Sequence, residues 1–319
     1  VGRGPARGYR DTAGHRHRSQ TVGSDDPQTA AGDRPRPARH GDRRLARRPP
    51  SRTGTRITAG DRRGRQDIAR FRTRDQATQH VLAAADQDSG VVLASTGVDT
   101  KTNEITRFGI LLDQISDLTG VVVTADALHC QREHVTYLAG RGAHWILTAK
   151  GNQPALHQQL TNLPWHQAPV ADRDTARGHG RREIRTLKTL SVSIGIAFTG
   201  AAQAIQIRRR RRRLNQPRRF TTETLYAVTD LLAHQAKPWQ LADYTRRHWS
   251  IENQTHWVRD VTYDEDRSQI RTGTGPQVMA ILRNAAIGAL RLTGATNIAA
   301  ANRHHARNPN RSLAILGIT

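Results

Sequence analysis

Gly120-Val-Val-Val-Thr-Ala125, closed by Asp126, is the stretch whose reading decides the fold. Three consecutive valines with no charge among the six residues cannot present one wet and one dry face, so the run reads as a strand buried on both sides. Such strands belong to sheets covered by helices on both faces, which makes the chain α/β. Downstream, an amphipathic helix is predicted over about Gln131 to Gly140, and Trp145-Ile-Leu-Thr-Ala149 is the next strand, ending in Lys150-Gly-Asn-Gln-Pro154. Upstream, Gln79 to Ala85 and Gly90 to Val98 are apolar runs joined by the turn-like Asp86-Gln-Asp-Ser-Gly90, a β-hairpin. Thr102 or Asn103 can cap a helix from Glu104 to Ile115 that places Ile105, Phe108, Leu111, Leu112 and Ile115 on one face. Asp126 has two open roles: it can cap the following helix, or it can hold a ligand outside the carboxyl ends of the strands, where open α/β sheets place their sites.

Between residues 155 and 235 the pattern changes to short strands. Gly178 to Leu187 alternates after its glycines, and Ile205 to Arg213 and Thr222 to Val228 flank a loop at Asn215-Gln-Pro217. Arg208 to Arg213 with Arg218 and Arg219 is the densest basic cluster of this part, either a solvated strand face or a set of phosphate contacts, with Arg208, Arg210 and Arg212 the candidates. A helical period follows at Leu241, Tyr244, Ile251 and Val258, uninterrupted by Gly or Pro. On one helix Glu252, His256 and Arg259 would share a face at i, i+4 and i+7, between Trp249 and Trp257. By itself that is the pattern of a solvated ion-pair patch, but burying two indoles beside a carboxylate suits a site where a metal or phosphate compensates the charge. Gly275-Pro opens an apolar helix, Val278 to Leu290, and a short last helix is expected through about His305. His304-His305 has no matching ligand nearby and reads as surface.

Glu252, the six residues after it and then Arg259 resemble the glutamate signature of the IS4-like DDE transposases. His248-Trp-Ser-Ile-Glu-Asn and His256-Trp-Val-Arg-Asp-Val-Thr-Tyr-Asp-Glu-Asp-Arg-Ser268 are similar to the ISAs1 family within that group. Tyr244 and Arg247 match the signature's upstream Tyr and Arg in type, each one residue further from Glu252 than the pattern asks. Thr124-Ala-Asp-Ala-Leu-His129 resembles the motif of the family's second aspartate. The resemblance implies a ribonuclease-H-like core with an all-β insertion before the glutamate helix. It also implies catalytic carboxylates at Asp126 and Glu252 holding divalent ions, Mg²⁺ or Mn²⁺, with hard oxygen ligands. Arg259, Arg247 and Tyr244 would contact DNA phosphates, and His129 and His256 would stand behind the ligands. The implied partner is double-stranded DNA at transposon ends and target, handled by a homo-oligomer.

Composition agrees with a polyanionic partner: formal net charge is +23 over 319 residues, and all but four of the 50 basic residues are arginine. Cys130 is the single cysteine, so neither a disulfide framework nor a multi-Cys zinc site is available. No apolar run reaches the ~18 residues of a membrane span and no signal-peptide core is evident, so a cytoplasmic protein at the nucleoid is expected.

Residues 1 to 72 differ from the rest. They hold 19 Arg and 7 Asp, without Glu, Lys or Trp, and without a helical or strand period. Either this is a disordered basic arm or it is translated out of frame. Asp61-Arg-Arg-Gly-Arg-Gln-Asp-Ile-Ala-Arg-Phe71 can be back-translated so that a one-base shift gives Ile-Ala-Val-Asp-Gly-Lys-Thr-Ser-Arg-Gly, which resembles the family's first catalytic-Asp strand. The expected layout is therefore a basic segment over 1–72, the first part of the core over 73–154, a β-rich insertion over 155–235, and the glutamate helix with C-terminal helices over 236–319. The first core strand is expected to be missing or disrupted, and with it the first aspartate.

Overall fold

A computed structural model describes residues 56–60, 80–98, 104–192, 195–216, 218–248, 252–270 and 272–318. All of them fall in one compact unit, Arg52–Thr319; the other unit, Val1–Ser51, lies outside the described residues. The elements run β1 (Arg56–Gly60), β2 (His80–Asp86), β3 (Val92–Val98), α1 (Glu104–Leu112), β4 (Val122–Ala125), a 3₁₀ turn (Ala127–His129), α2 (Arg132–Gly140), β5 (His144–Ala149) and α3 (Pro154–Asn162). Four long strands follow, β6 (Asp172–Gly178), β7 (Arg181–Ser191), β8 (Gln203–Arg213) and β9 (Thr221–Thr229). The chain then turns helical: α4 (Pro238–His248), a π-helical turn (Glu252–His256), α5 (Trp257–Thr262), a 3₁₀ turn (Glu265–Arg267), α6 (Gly275–Leu292), α7 (Ile298–Ala306) and α8 (Pro309–Ile315).

One nine-stranded sheet runs through the unit in the order β3-β2-β1-β4-β5-β9-β8-β7-β6. β4 is parallel to both β1 and β5, and the hairpin β2–β3 continues the sheet antiparallel on one side. All four residues of β4 are buried, as the unbroken apolar run requires. Successive side chains go to opposite faces: Val123, Trp145, Leu147 and Ala204 pack under α1, α2 and α3 with Phe108, Leu138 and Leu160. Val122, Ile146, Ile205 and Ile207 pack under α4 with Leu241 and Tyr244. The β2–β3 turn closes on local bonds, Asp86 Oδ2 accepting from the Ser89 amide at 2.8 Å and hydroxyl at 2.5 Å, while Gly90 takes φ +69°.

Four expectations need correction. The sheet has no vacant first position, because Arg56–Gly60 pairs with β2 on one side and β4 on the other. An Ile57-Thr58 pair is adequate strand material, and a gap there would leave two inner edges of the sheet with unpaired amides and carbonyls. The segment 155–235 is not all-β: α3 occupies its start, and β9 pairs with β5 from Ile146↔Thr229 to Ala149↔Tyr226, so β6–β9 prolong the core sheet. The described helical residues over 238–262 are not α throughout: α4 covers Pro238–His248, and Glu252–His256 forms a π-helical turn before α5. Finally, Trp257 is 57 % exposed and so is not a buried flank; Trp249 lies outside the described residues. The helix over 309–315 was not foreseen; Pro309 at its first turn and Asn308, whose Oδ1 accepts from the Asn310 amide, open it.

Candidate active site at the carboxyl edge of the sheet

β4 delivers Asp126 to the carboxyl edge of the sheet, half-buried, where the backbone leaves the strand in an extended conformation. The capping role is seen directly. Asp126 Oδ1 accepts the Leu128 amide at 2.9 Å and so caps the 3₁₀ turn, yet capping engages one carboxylate oxygen only. Two residues earlier, Thr124 Oγ1 lies 2.7 Å from Gln87 Nε2 and 3.1 Å from His248 Nδ1. Since an amide nitrogen only donates, the Gln87 contact has Thr124 as acceptor. His248 ends α4, so this contact ties the strand motif at 124–129 to the head of the motif at 248–268 across 124 residues of sequence. Burial drives the His248 pKa down to about 4, against the pull of Asp126 in the opposite direction and with the help of the Lys150 charge. The imidazole is therefore neutral at pH 7.

The Glu252 backbone opens the π-helical turn, while its side chain lies outside the described residues. α6 fixes this turn to the sheet: Arg291 donates from Nη2 to the Gln254 carbonyl and from Nη1 to the Gly90 carbonyl in the β2–β3 turn. A side chain at position 90 would put its Cβ 2.6 Å from Arg291 Nη1 and 2.9 Å from Gln254 Oε1, which explains the glycine there. The same β2–β3 turn holds α4, because Arg247 pairs with Asp88 at 2.5 Å and with Asp243 at 3.0 Å. Thus one tight turn carries contacts to α4, to the Glu252 turn and, through Gln87, to β4.

Several expected site residues sit elsewhere or are already engaged. Arg259 is 1 % exposed; it bonds Glu265 through Nε at 2.5 Å and Nη2 at 3.0 Å, and approaches Asn284 Oδ1 at 3.4 Å. The guanidinium of this buried arginine is thus engaged bidentately within the protein. Tyr244 is buried in the core under α4, so it is not a surface contact either. His129 is fully buried in a ring cluster, its centroid 4.9 Å from that of Phe108 and 5.4 Å from that of His134, both tilted, which places it in the core. His256 is buried on the π-helical turn. Arg208 and Arg210 are exposed and Arg212 half-buried on β8, on the sheet face opposite α4. His248 and Lys150 were quoted in the motifs and given no role; the only signal was their adjacency to the strand and helix ends. Among the described residues no three carboxylate, imidazole or thiol side chains converge. Asp126 is the carboxylate that the motif singled out at this edge, and carboxylate oxygen is a ligand type that hard cations take.

Comparison with known proteins agrees with these motifs. The profile of the Transposase DDE domain matches residues 54–288, which spans β1 through most of α6. The chain is 26 % identical over 243 residues to the Escherichia coli K12 protein named "H repeat-associated putative transposase YhhI", covering 69 % of this chain and 60 % of that one. It is 27 % identical over 227 residues to "Putative transposase YncI" of Escherichia coli O157:H7, covering 66 % and 56 %. The chain therefore spans between half and two thirds of the length of these relatives. A solved piggyBac transposase synaptic complex with hairpin DNA aligns at a TM-score of 0.42 and 11 % identity, over 78 % of this chain and 48 % of that one. With the domain profile matching well over half of its length, the chain belongs to the DDE transposase domain family.

Proposed function

We propose that this chain is the catalytic part of an ISAs1-type, IS4-like DDE transposase that cuts and joins DNA strands at the ends of an insertion sequence. The observation that supports this best is the Thr124–His248 contact, which brings the Asp126 edge and the segment leading to Glu252 into one neighbourhood. In this reading Asp126 and Glu252 supply two carboxylates for Mg²⁺ or Mn²⁺, which would polarise the attacked phosphate and activate the attacking oxygen. Neutral His248 can hydrogen-bond without adding charge, and Lys150 offers a cation to a phosphate beside Asp126. The ribonuclease-H-like reading of the core is supported by the three adjacent parallel strands β1, β4 and β5 with the hairpin beside β1.

In this proposal the chain as it stands cuts DNA poorly or not at all. The family strand with its Asp-Gly-Lys belongs to the shifted frame, and the acid that follows β1 here, Asp61, lies outside the described residues. A plasmid-nicking assay with Mg²⁺ or Mn²⁺ tests both halves. The present chain should leave supercoiled DNA intact, and a chain with the shifted-frame strand restored should nick it and lose that activity with Asp126→Asn or Glu252→Gln. Robust nicking by the present chain overturns the inactivity; no nicking by the restored chain overturns the transposase reading. A second reading, a non-cutting remnant that still holds duplex DNA, is favoured by the arginine rows of β8.

A further inference from the structure

The register of β6–β9 sorts their charges by face. Residues directly opposite in antiparallel strands share a face, and neighbours along a strand alternate. Arg209 faces Arg185 and Glu223, Arg185 faces Asp174, Arg211 faces Glu183, and Leu187 faces Asp172. All four acidic residues of these strands, Asp172, Asp174, Glu183 and Glu223, therefore lie on the α4 side. There they neutralise arginine: Glu183 pairs with Arg185 at 2.5 Å and Arg209 at 2.8 Å, Glu223 with Arg211 at 3.2 Å, and Asp174 with Arg246 of α4 at 3.7 Å.

The opposite face has no acid in these strands. Arg208 faces Thr186 and Thr224, Thr186 faces Arg173, Arg210 faces Ile184 and Thr222, and Arg212 faces Arg182, which faces Arg177. Six arginines thus gather on three adjacent strands, four of them exposed and Arg182 and Arg212 half-buried. Phe220 lies beneath two of them, its ring centroid 4.6 Å from the Arg210 guanidinium carbon and 5.4 Å from that of Arg212, which orders the heads without discharging them. Asp126 and His248 belong to the other side of the sheet, since His248 ends α4.

We propose that this acid-free face of β6–β8 is a second docking surface for duplex DNA, separate from the carboxylate edge and independent of divalent ions. Side chains two residues apart on a strand recur at ~6.8 Å, roughly the through-space separation of successive phosphates on one duplex strand, which rise ~3.4 Å along the axis while winding around it. The row Arg208-Arg210-Arg212 therefore meets successive phosphates, and planar guanidinium groups suit phosphate oxygens. The sheet presents this face away from the cutting edge, so it holds DNA other than the segment being cut. The inference rests on the transposase reading only for the choice of DNA as partner.

Fluorescence anisotropy with a 30-base-pair duplex in EDTA, in an Asp126→Asn background, tests it without any requirement for cleavage. The triple variant R208Q/R210Q/R212Q should bind about 100-fold more weakly at 0.1 M salt and lower the slope of log affinity against log salt by about 2.7, at ~0.9 per phosphate contact. The other-face triple R185Q/R209Q/R211Q removes the same charge and should change affinity less than about fivefold, as its arginines are ion-paired to Glu183 and Glu223. R173Q/R177Q, on the edge strand and clear of the core, should cost about tenfold with an unchanged circular-dichroism melt. Equal losses from both triples, no loss from the β8 row, or competition by polyglutamate as effective as by DNA at equal charge would overturn the proposal. A negative result leaves the nicking prediction untouched, and failure to nick after frame restoration leaves this face untouched.

Discussion

The two halves of the sheet use the same backbone ladder and opposite surfaces. In the half containing β4 and β5, both faces are roofed by helices and the strands are almost wholly apolar. In the half formed by β6–β9, α4 reaches across one face as far as β6 and β7, and the ends of β7 and β8 beyond it carry arginine on both faces. The difference shows that a strand's sequence reports what covers it more than which sheet it joins. Hydrogen bonding continues from one half to the other through β5 and β9, and only the covering changes.

Trp145 should break the comparison most severely. Its indole is 1 % exposed under the helical roof, and Trp145→Ala should lower unfolding free energy by about 3–5 kcal/mol in urea titration. Arg210→Ala, in the uncovered half, should stay within about 0.5 kcal/mol. Comparable in size is the buried pair outside the sheet: Arg259→Ala should cost about 3–5 kcal/mol by removing the bidentate partner of buried Glu265, whose contact to Arg283 is longer at 3.8 Å, whereas the double change Arg259→Met with Glu265→Leu should recover most of the loss. If the double variant is as unstable as the single one, the pair does more than compensate its own burial.

Smaller is the pH response of the roofed half. His248 has its folded pKa depressed to about 4 by burial, below the ordinary 6.5, so the unfolded chain takes up this proton first as the pH falls. Its contribution is complete above pH 6.5 and is lost progressively between pH 6.5 and about 4, on the order of 2–3 kcal/mol at the acidic end. His248→Gln should remove that slope from stability measured across this range, leaving only the carboxylate titrations. The mildest test concerns Cys130, buried with its thiol pushed up to about 12. It should resist iodoacetamide at pH 8 in the native state and react at once in denaturant.

These contrasts also explain what could be read from the chain alone. Gly120–Ala125 and Trp145–Ala149 were legible because a strand buried on two faces leaves a continuous apolar run, and Asp86–Gly90 because a tight turn needs those residue types. Asp126 was legible for the same reason, being the first polar residue after such a run. The burial of Arg259 and Tyr244 was not legible because a motif specifies residue types at a spacing, while burial depends on what packs over the helix: Glu265 and Asn284 on one, the sheet on the other. β1 was hidden by its charged surroundings, since Ile57-Thr58 alone carries too little pattern to announce a strand whose place is fixed by its neighbours' free edges. The facing of the arginines needed the register, which no single strand contains.

The wide turn at Glu252–His256 has a consequence for insertions and deletions. Each residue advances a helix by about 100°, so removing one position there would rotate everything in α5 by more than a quarter of a revolution. Arg259 would swing off Glu265 and into the sheet or the solvent, even though every amino acid of the motif survived. The segment therefore fixes length as firmly as it fixes identity.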